Sequence, residues 1–288
     1  MKIAIITGFE FHFECIPFLL ESFKKDKISI YLDLKKKEPF NWIEFCQKLY
    51  KDINLELFYK IDKKKILTNY DKIFKLTSND NCLNDKKIIS IIHAPNSKSS
   101  SKKNISLSPY ISGKNIEYLF PTFKPVIQKR EDKTVTLIGY YLNSYFDNDT
   151  ISFIKKNKNY KFNFIIWGDE KGYPNLTSLK NVKIYKRIKT NEMVEIINSS
   201  KYILSKKYIN FDRFSGQLSL AVSFEKPLLI DQKTKETYKL PGVIFKKSYM
   251  ELGDLDAIDE SKYYIEVENI KNFKELNINR NKEMLRKL

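Results

Sequence analysis

The sequence predicts an α/β protein built as two successive domains, each a mostly parallel sheet covered by helices. Three observations predict it. Short apolar runs rich in Ile, Val, Phe and Tyr alternate with helix-length amphipathic segments, the pattern of βαβ units. The alternation stops once, where two prolines are followed by a charge run, and then restarts. The chain has 288 residues, 42% hydrophobic and 30% charged, which suits two buried cores.

The first alternation opens with KIAIITG (2–8), a buried strand, followed by the helix FECIPFLLESFKK (13–25). Pro17 falls in the first turn of that helix, where its missing N–H costs nothing. ISIYLDL (28–34) predicts a strand and WIEFCQKLYKD (42–52) an amphipathic helix. LELFY (55–59), DKIFKLT (71–77) and KIISIIHA (87–94) predict further strands. SKSSSKKN (97–104) reads as a polar loop and ISLSPYI (105–111) as the last strand of the first domain. The segment FPTFKPVIQKREDK (120–133) breaks the pattern. The domains are therefore set at 1–125 and 134–288, with 126–133 as linker.

The second alternation runs through TVTLIGYY (134–141, strand), DNDTISFIKKNK (147–158, helix), FNFIIWGDE (162–170, strand) and VKIYKRI (182–188, strand). It continues with TNEMVEIINSSK (190–201, helix), YILSKK (202–207, strand), SGQLSLAVSFEK (215–226, helix) and PLLID (227–231, strand). VIFKK (243–247) adds a strand, and INRNKEMLRKL (278–288) a closing helix. Two such runs give two Rossmann-like domains facing a cleft, with ligands expected beyond the carboxyl ends of the strands.

Composition narrows the function. No apolar run approaches the roughly 18–20 residues of a membrane span, and MKIAIITGF reads as a first strand, not a signal peptide. Cys15, Cys46 and Cys82 are scattered without metal-ligand spacing, which fits a reducing, cytoplasmic setting. The net charge is +17, but it comes from 47 Lys against 5 Arg in a chain also rich in Ile, Asn, Tyr and Phe. That balance matches an AT-rich coding sequence and argues against nucleic acid as partner, since Arg is the preferred reader of phosphate and guanine. A solvated basic surface is the plain reading. An anionic ligand, or an anionic membrane touched peripherally, is the alternative. No GxxxxGK[ST], GxGxxG or GxSxG occurs. Asp147-Asn148-Asp149 is formally a DxD but precedes a predicted helix and reads as a capping cluster, so no metal is expected.

The order IIWGDE, NVKIYKRI, TNEMVEIINSSKYILSKK, DRFSGQLSLAVSFEKPLLID over residues 134–231 resembles the donor-binding domain of GT-B glycosyltransferases. The resemblance implies a nucleotide-sugar donor, an acceptor hydroxyl on a glycan or other molecule, and no cofactor. Within it, Ser215 is placed to cap a helix whose free N–H groups and dipole attract an anion. Gly216 lets a phosphate approach the backbone without a Cβ in the way, and Gln217 offers an amide. Arg213 precedes the turn and can clamp a diphosphate bidentately. Lys186 or Arg187 offsets the leaving group's charge. Adjacent strand residues face opposite sides, so one of the two should point inward. Gly139 and Gly168 end strands of this domain, and Gly8 ends the first strand of the other. His12 and Glu14 after the first strand and His93 after a later one are the candidate bases for the acceptor hydroxyl.

The chain also departs from the family pattern. Many retaining members carry Glu-x7-Glu, where this chain has Asp212 and Leu220, and Glu225 replaces the usual Gly before Lys226-Pro227. The rival readings are a non-catalytic nucleotide-sugar or glycan-binding protein on the same fold and a DNA-modifying glucosyltransferase.

Overall fold

The computed structural model describes residues 1–7, 15–32, 42–51, 55–58, 62–76, 85–92, 103–111, 116–127, 133–139, 148–166, 174–205 and 215–288. The chain divides into two compact units. One comprises Met1–Lys124, Asn210–Gly216 and Leu276–Leu288, the other Pro125–Ile209 and Gln217–Glu275. None of the described helices is long and apolar enough to cross a membrane.

In the first unit the described strands are β1 (Lys2–Thr7), β2 (Lys27–Leu32), β3 (Leu55–Phe58), β4 (Lys72–Leu76), β5 (Ile88–Ile92), β6 (Lys103–Ser106) and β7 (Ile116–Tyr118). They form one parallel sheet in the order β3-β2-β1-β4-β5-β6-β7. All of β5, and all but the first residue of β1 and β2, is buried. Such strands read as continuous apolar runs because helices cover both faces.

Helix α1 (Ile16–Ser22) is shorter than its apolar pattern, and Pro17 stands in its first turn. Helix α2 spans Trp42–Leu49. Helix α3 (Lys63–Asn69) is absent from the sequence reading. Its first turn is Lys63-Lys64-Lys65, the opposite of the acidic start that signals a helix. Asp62 caps it, accepting the Lys65 N–H at 3.0 Å. Strand β6 ends at Ser106 rather than running on to residue 111. Ser106 Oγ donates to the Ser108 carbonyl at 2.6 Å, and Pro109 follows.

The second unit holds β8 (Thr134–Gly139), α4 (Asn148–Lys156), β9 (Lys161–Ile166), α5 (Pro174–Thr177), β10 (Val182–Lys186) and α6 (Thr190–Ser199). It continues through β11 (Tyr202–Leu204), α7 (Gly216–Ser223), β12 (Leu228–Asp231), α8 (Gln232–Tyr238) and β13 (Val243–Phe245). Two 3-10 turns follow, Tyr249–Leu252 and Leu255–Ala257. The sheet is parallel in the order β10-β9-β8-β11-β12-β13, the same wiring as the first. One face buries Val135, Leu137, Phe162, Phe164 and Leu204 against Phe153, Ile154, Tyr249 and Tyr263. The chain closes with α9 (Glu260–Lys287), 28 residues long, where the sequence predicts a helix only from 278. Its residues up to Glu275 belong to the second unit and those from Leu276 to the first.

Candidate functional site

In a sheet of this wiring, strand order reverses between the first and fourth strands, and the crevice past their carboxyl ends is the natural ligand position. In the second unit those strands are β8 and β11. The helix that follows β11 in the chain is α7.

Helix α7, GQLSLAVS, is apolar on nearly every side, and its residues from Gln217 to Ser223 are all buried. It is held by packing, and its start is left uncharged and small. Ser215 stands at the N-cap position and Gly216 is the first helical residue, both half-buried. The side chain of Gln217 is buried, and its Nε2 donates to the carbonyl of Leu204, the last residue of β11. This bond fixes the start of α7 against the strand end.

The far end of α7 is anchored too. Glu225 adopts a left-handed φ of 56°, the conformation for which the GT-B pattern supplies glycine. A non-glycine residue there carries a cost of about 1 kcal/mol. The carboxylate of Glu225 forms a short ion pair with Lys274 of α9, whose ammonium is almost fully buried. The adjacent Lys226 is also buried and donates to the Asn198 carbonyl at the end of α6.

The strand ends around β11 are braced by the first 3-10 turn. Tyr249 Oη donates to the Ser205 carbonyl at 3.0 Å, directly after β11. The Tyr249 N–H donates to Asp149 at 2.8 Å, and Ser248 Oγ donates to the other oxygen of the same carboxylate. Asp149, the second acid of the DxD, thus ties the start of α4 to this turn. Glu251 accepts the N–H groups of Lys246, Lys247 and Ser248 at 2.6, 3.0 and 3.2 Å. These bonds, that of Lys246 first, hold its carboxyl below the ordinary value. Among the described residues, no group of three His, Cys, Asp or Glu is placed to hold a metal.

The remaining candidates separate. Gly139 ends β8, in register with Ile166 at the end of β9. Lys186 ends β10, an outer strand of the sheet, and is exposed. Arg187 lies beyond the strand with φ 47°, and its N–H donates to Ile166 at 2.9 Å. The expected strand alternation therefore does not apply to this pair, because only Lys186 is in the strand. Gly8, His12, Glu14, His93, Gly168, Asp212 and Arg213 lie outside the described residues. Sequence reasoning missed the bracing of α7 by Tyr249, Glu225 and Lys274. Part of it was readable: Ser248-x-x-Glu251 is a capping-box pattern, and the box is formed.

No protein-family model matches the sequence. No curated protein matches it either. Solved structures do. AviGT4, a glycosyltransferase involved in avilamycin A biosynthesis, aligns over 99% of this chain and 98% of its own, with TM-score 0.59 and 9% identity. The DNA-modifying enzyme β-glucosyltransferase, solved with and without uridine diphosphoglucose, aligns over 100% and 99%, with TM-score 0.55 and 14% identity. UDP-GlcNAc 2-epimerase from Neisseria meningitidis, bound to UDP-GlcNAc, aligns over 100% and 99%, with TM-score 0.54 and 13% identity. The chain has the GT-B glycosyltransferase fold, as the sequence resemblance implied.

Proposed function

We propose that the protein transfers a sugar from a nucleoside-diphosphate sugar to an acceptor hydroxyl, with the diphosphate seated on the start of α7. The observation that carries this reading is a helix with a small, uncharged, half-buried start that is the next described element after β11, the strand at which the second sheet reverses order. Solved proteins of this fold that handle UDP-sugars support it.

In the transfer, the acceptor oxygen bonds to the anomeric carbon as the bond from that carbon to the phosphate oxygen breaks. The electron pair leaves with the diphosphate, and the acceptor proton passes to His12 or Glu14, with His93 as the third candidate. The N–H groups of α7, with Arg213 and Lys186, oppose the charge that develops on the leaving diphosphate. This scheme assigns no step to a metal. Buried Cys15 and Cys46 thiols suit a reducing, cytoplasmic setting.

The test is calorimetry with a panel of nucleoside diphosphates and their sugars, followed by mass spectrometry of the products. Binding of one nucleoside diphosphate with slow release of a free or transferred sugar is expected. No binding of any of them sinks the reading. Isomerisation of the sugar while it stays on the nucleotide replaces transfer with epimerisation.

A further inference from the structure

The charge of the second unit is unevenly placed. From Thr150 to Ile166, and again from Pro174 to Asn191, the sequence holds nine Lys or Arg and no Asp or Glu. Five of the nine gather at one corner, the amino edge of the sheet where β9 and the outer strand β10 begin. Lys155 and Lys156 end α4, Lys158 lies in the turn that follows, Lys161 opens β9, and Lys180 stands two residues before β10. All five side chains are exposed.

Asn181 joins these segments. Its Nδ2 donates to the Tyr160 carbonyl at 3.0 Å and reaches those of Asn157 and Ile154 at 3.4 and 3.5 Å. Its own carbonyl accepts the Phe162 N–H at 2.8 Å. One residue thus holds the end of α4, the turn after it and the start of β9 beside Lys180. The helix dipole accounts for cations in the last turn of α4. It gives no reason for Lys158, Lys161 or Lys180.

Where the same edge carries acids, its lysines pair with them. Lys133, before β8, meets Asp256 at 3.2 Å, and Lys201, before β11, meets Glu260 at 2.8 Å. None of the five has an acidic partner among the described residues. Like charges fixed on one corner repel one another, and a bound polyanion relieves that repulsion.

The kind of polyanion follows from what the corner lacks. A membrane surface or a protein partner calls for apolar or aromatic anchors. The exposed large apolar side chains described in the second unit are Val126, Ile127, Ile244, Met250, Tyr264 and Ile265, and none lies on these segments. A nucleic-acid duplex needs only cations, since it carries about one charge per 1.7 Å of its axis. Lysine meets phosphate as a compact charge, and without arginine the corner has no bidentate reader of guanine.

We propose that this corner of the second sheet binds the phosphate backbone of a nucleic-acid duplex without reading its sequence. This reverses the expectation drawn from the Lys-to-Arg ratio, on the ground of placement. The corner lies at the amino edge, whereas the diphosphate reading concerns the carboxyl edge of the same sheet, so the two stand or fall separately.

The experiment uses the full chain, a fluorescent 20-base-pair DNA duplex and a salt titration. One variant carries Lys158→Gln, Lys161→Gln and Lys180→Gln, and a second carries Lys155→Gln and Lys156→Gln. A charge-matched control carries Lys25→Gln, Lys51→Gln and Lys86→Gln, three exposed lysines of the first unit. Each lysine–phosphate contact contributes about 0.9 to the slope of log K against log salt. The triple variant is expected to flatten the slope by about 2–3 and the double variant by about 2, with binding at least tenfold weaker in the triple variant. The control should change little, and duplexes of different sequence should bind alike. Equal loss in the control, or no duplex binding by the wild type, overturns the proposal. Displacement of the duplex by poly-glutamate as readily as by unlabelled DNA at equal charge also overturns it, in favour of an acidic protein partner. UDP calorimetry on the same variants should match the wild type. A wild type that binds duplex and no nucleotide leaves this corner standing and removes the transfer reading.

Discussion

Helices α3 and α7 both follow a strand at the carboxyl edge of a sheet, and they begin in opposite ways. Helix α7 starts Ser-Gly-Gln, uncharged and small, on a body that is wholly buried. Helix α3 starts Asp-Lys-Lys-Lys on a surface helix of seven residues. The first offers backbone N–H groups, which reach only a ligand that comes close and fits. The second offers flexible ammonium groups, which act at longer range and fade with salt. The two starts thus differ in chemistry, small uncharged residues at one and side-chain cations at the other, and the difference lies in three residues at each.

The comparison can be tested most severely through what holds α7 still. Lys274→Met leaves the carboxylate of Glu225 without its partner, and loss of one member of a buried pair costs about 3 kcal/mol or more. A fall in Tm of roughly 5–10 °C is expected. The double variant with Glu225→Gly should recover much of it, since the glycine also relieves the left-handed backbone. Next in size is Gly216→Val. Its branched Cβ should lower UDP affinity about a hundredfold or more by calorimetry, the equivalent of losing two strong hydrogen bonds. Arg213→Ala should weaken the same binding by about tenfold to a hundredfold. If Arg213→Ala costs far more than Gly216→Val, the α7 site works by side-chain charge after all and the contrast with α3 collapses. Unchanged affinity in a folded Arg213→Ala variant removes that residue from the site.

The smallest effect concerns pH. The N–H of Lys246, then that of Lys247, holds the Glu251 carboxyl below its ordinary value of 4.5. A depressed carboxylate contributes stability that is complete above its unfolded pKa and is lost as pH falls through the folded one. The Glu251→Gln variant should therefore show a shallower loss of Tm than the wild type as pH drops below about 4.5, with a slightly lower plateau above it.

Much of the architecture was legible because buried parallel strands are apolar throughout. The strands predicted from residues 2, 28 and 162 each begin within one residue of β1, β2 and β9. What escaped had weak or contrary local signals. Helix α3 begins with lysines, α8 is the polar QKTKETY capped by Asp231 through Thr234, and the first half of α9 mixes Tyr, Ile and Val among charges without a clean stripe. At the site, the small residues before α7 were readable, since glycine is rare here. The partners that brace them were not. Gln217 donating to Leu204, and Glu225 meeting Lys274 across 49 residues, are tertiary pairings that no local pattern encodes.

Helix α9 also bears on the order of synthesis. The end of β7, the start of β4 and the turn before β2 are all met by its last residues. Asn281 donates to the Phe120 carbonyl at 2.8 Å, Lys72 donates to the carbonyls of Leu285 and Arg286, and Arg286 pairs with Asp26 at 2.7 Å. The first sheet is translated early, yet these contacts come from residues made after the whole second unit. During that interval Asp26 and Lys72 wait in water without them. The earlier unit is thus the later one to be completed, and a ribosome that stalls within the codons for residues 276–288 leaves both sheets written and only one of the units closed.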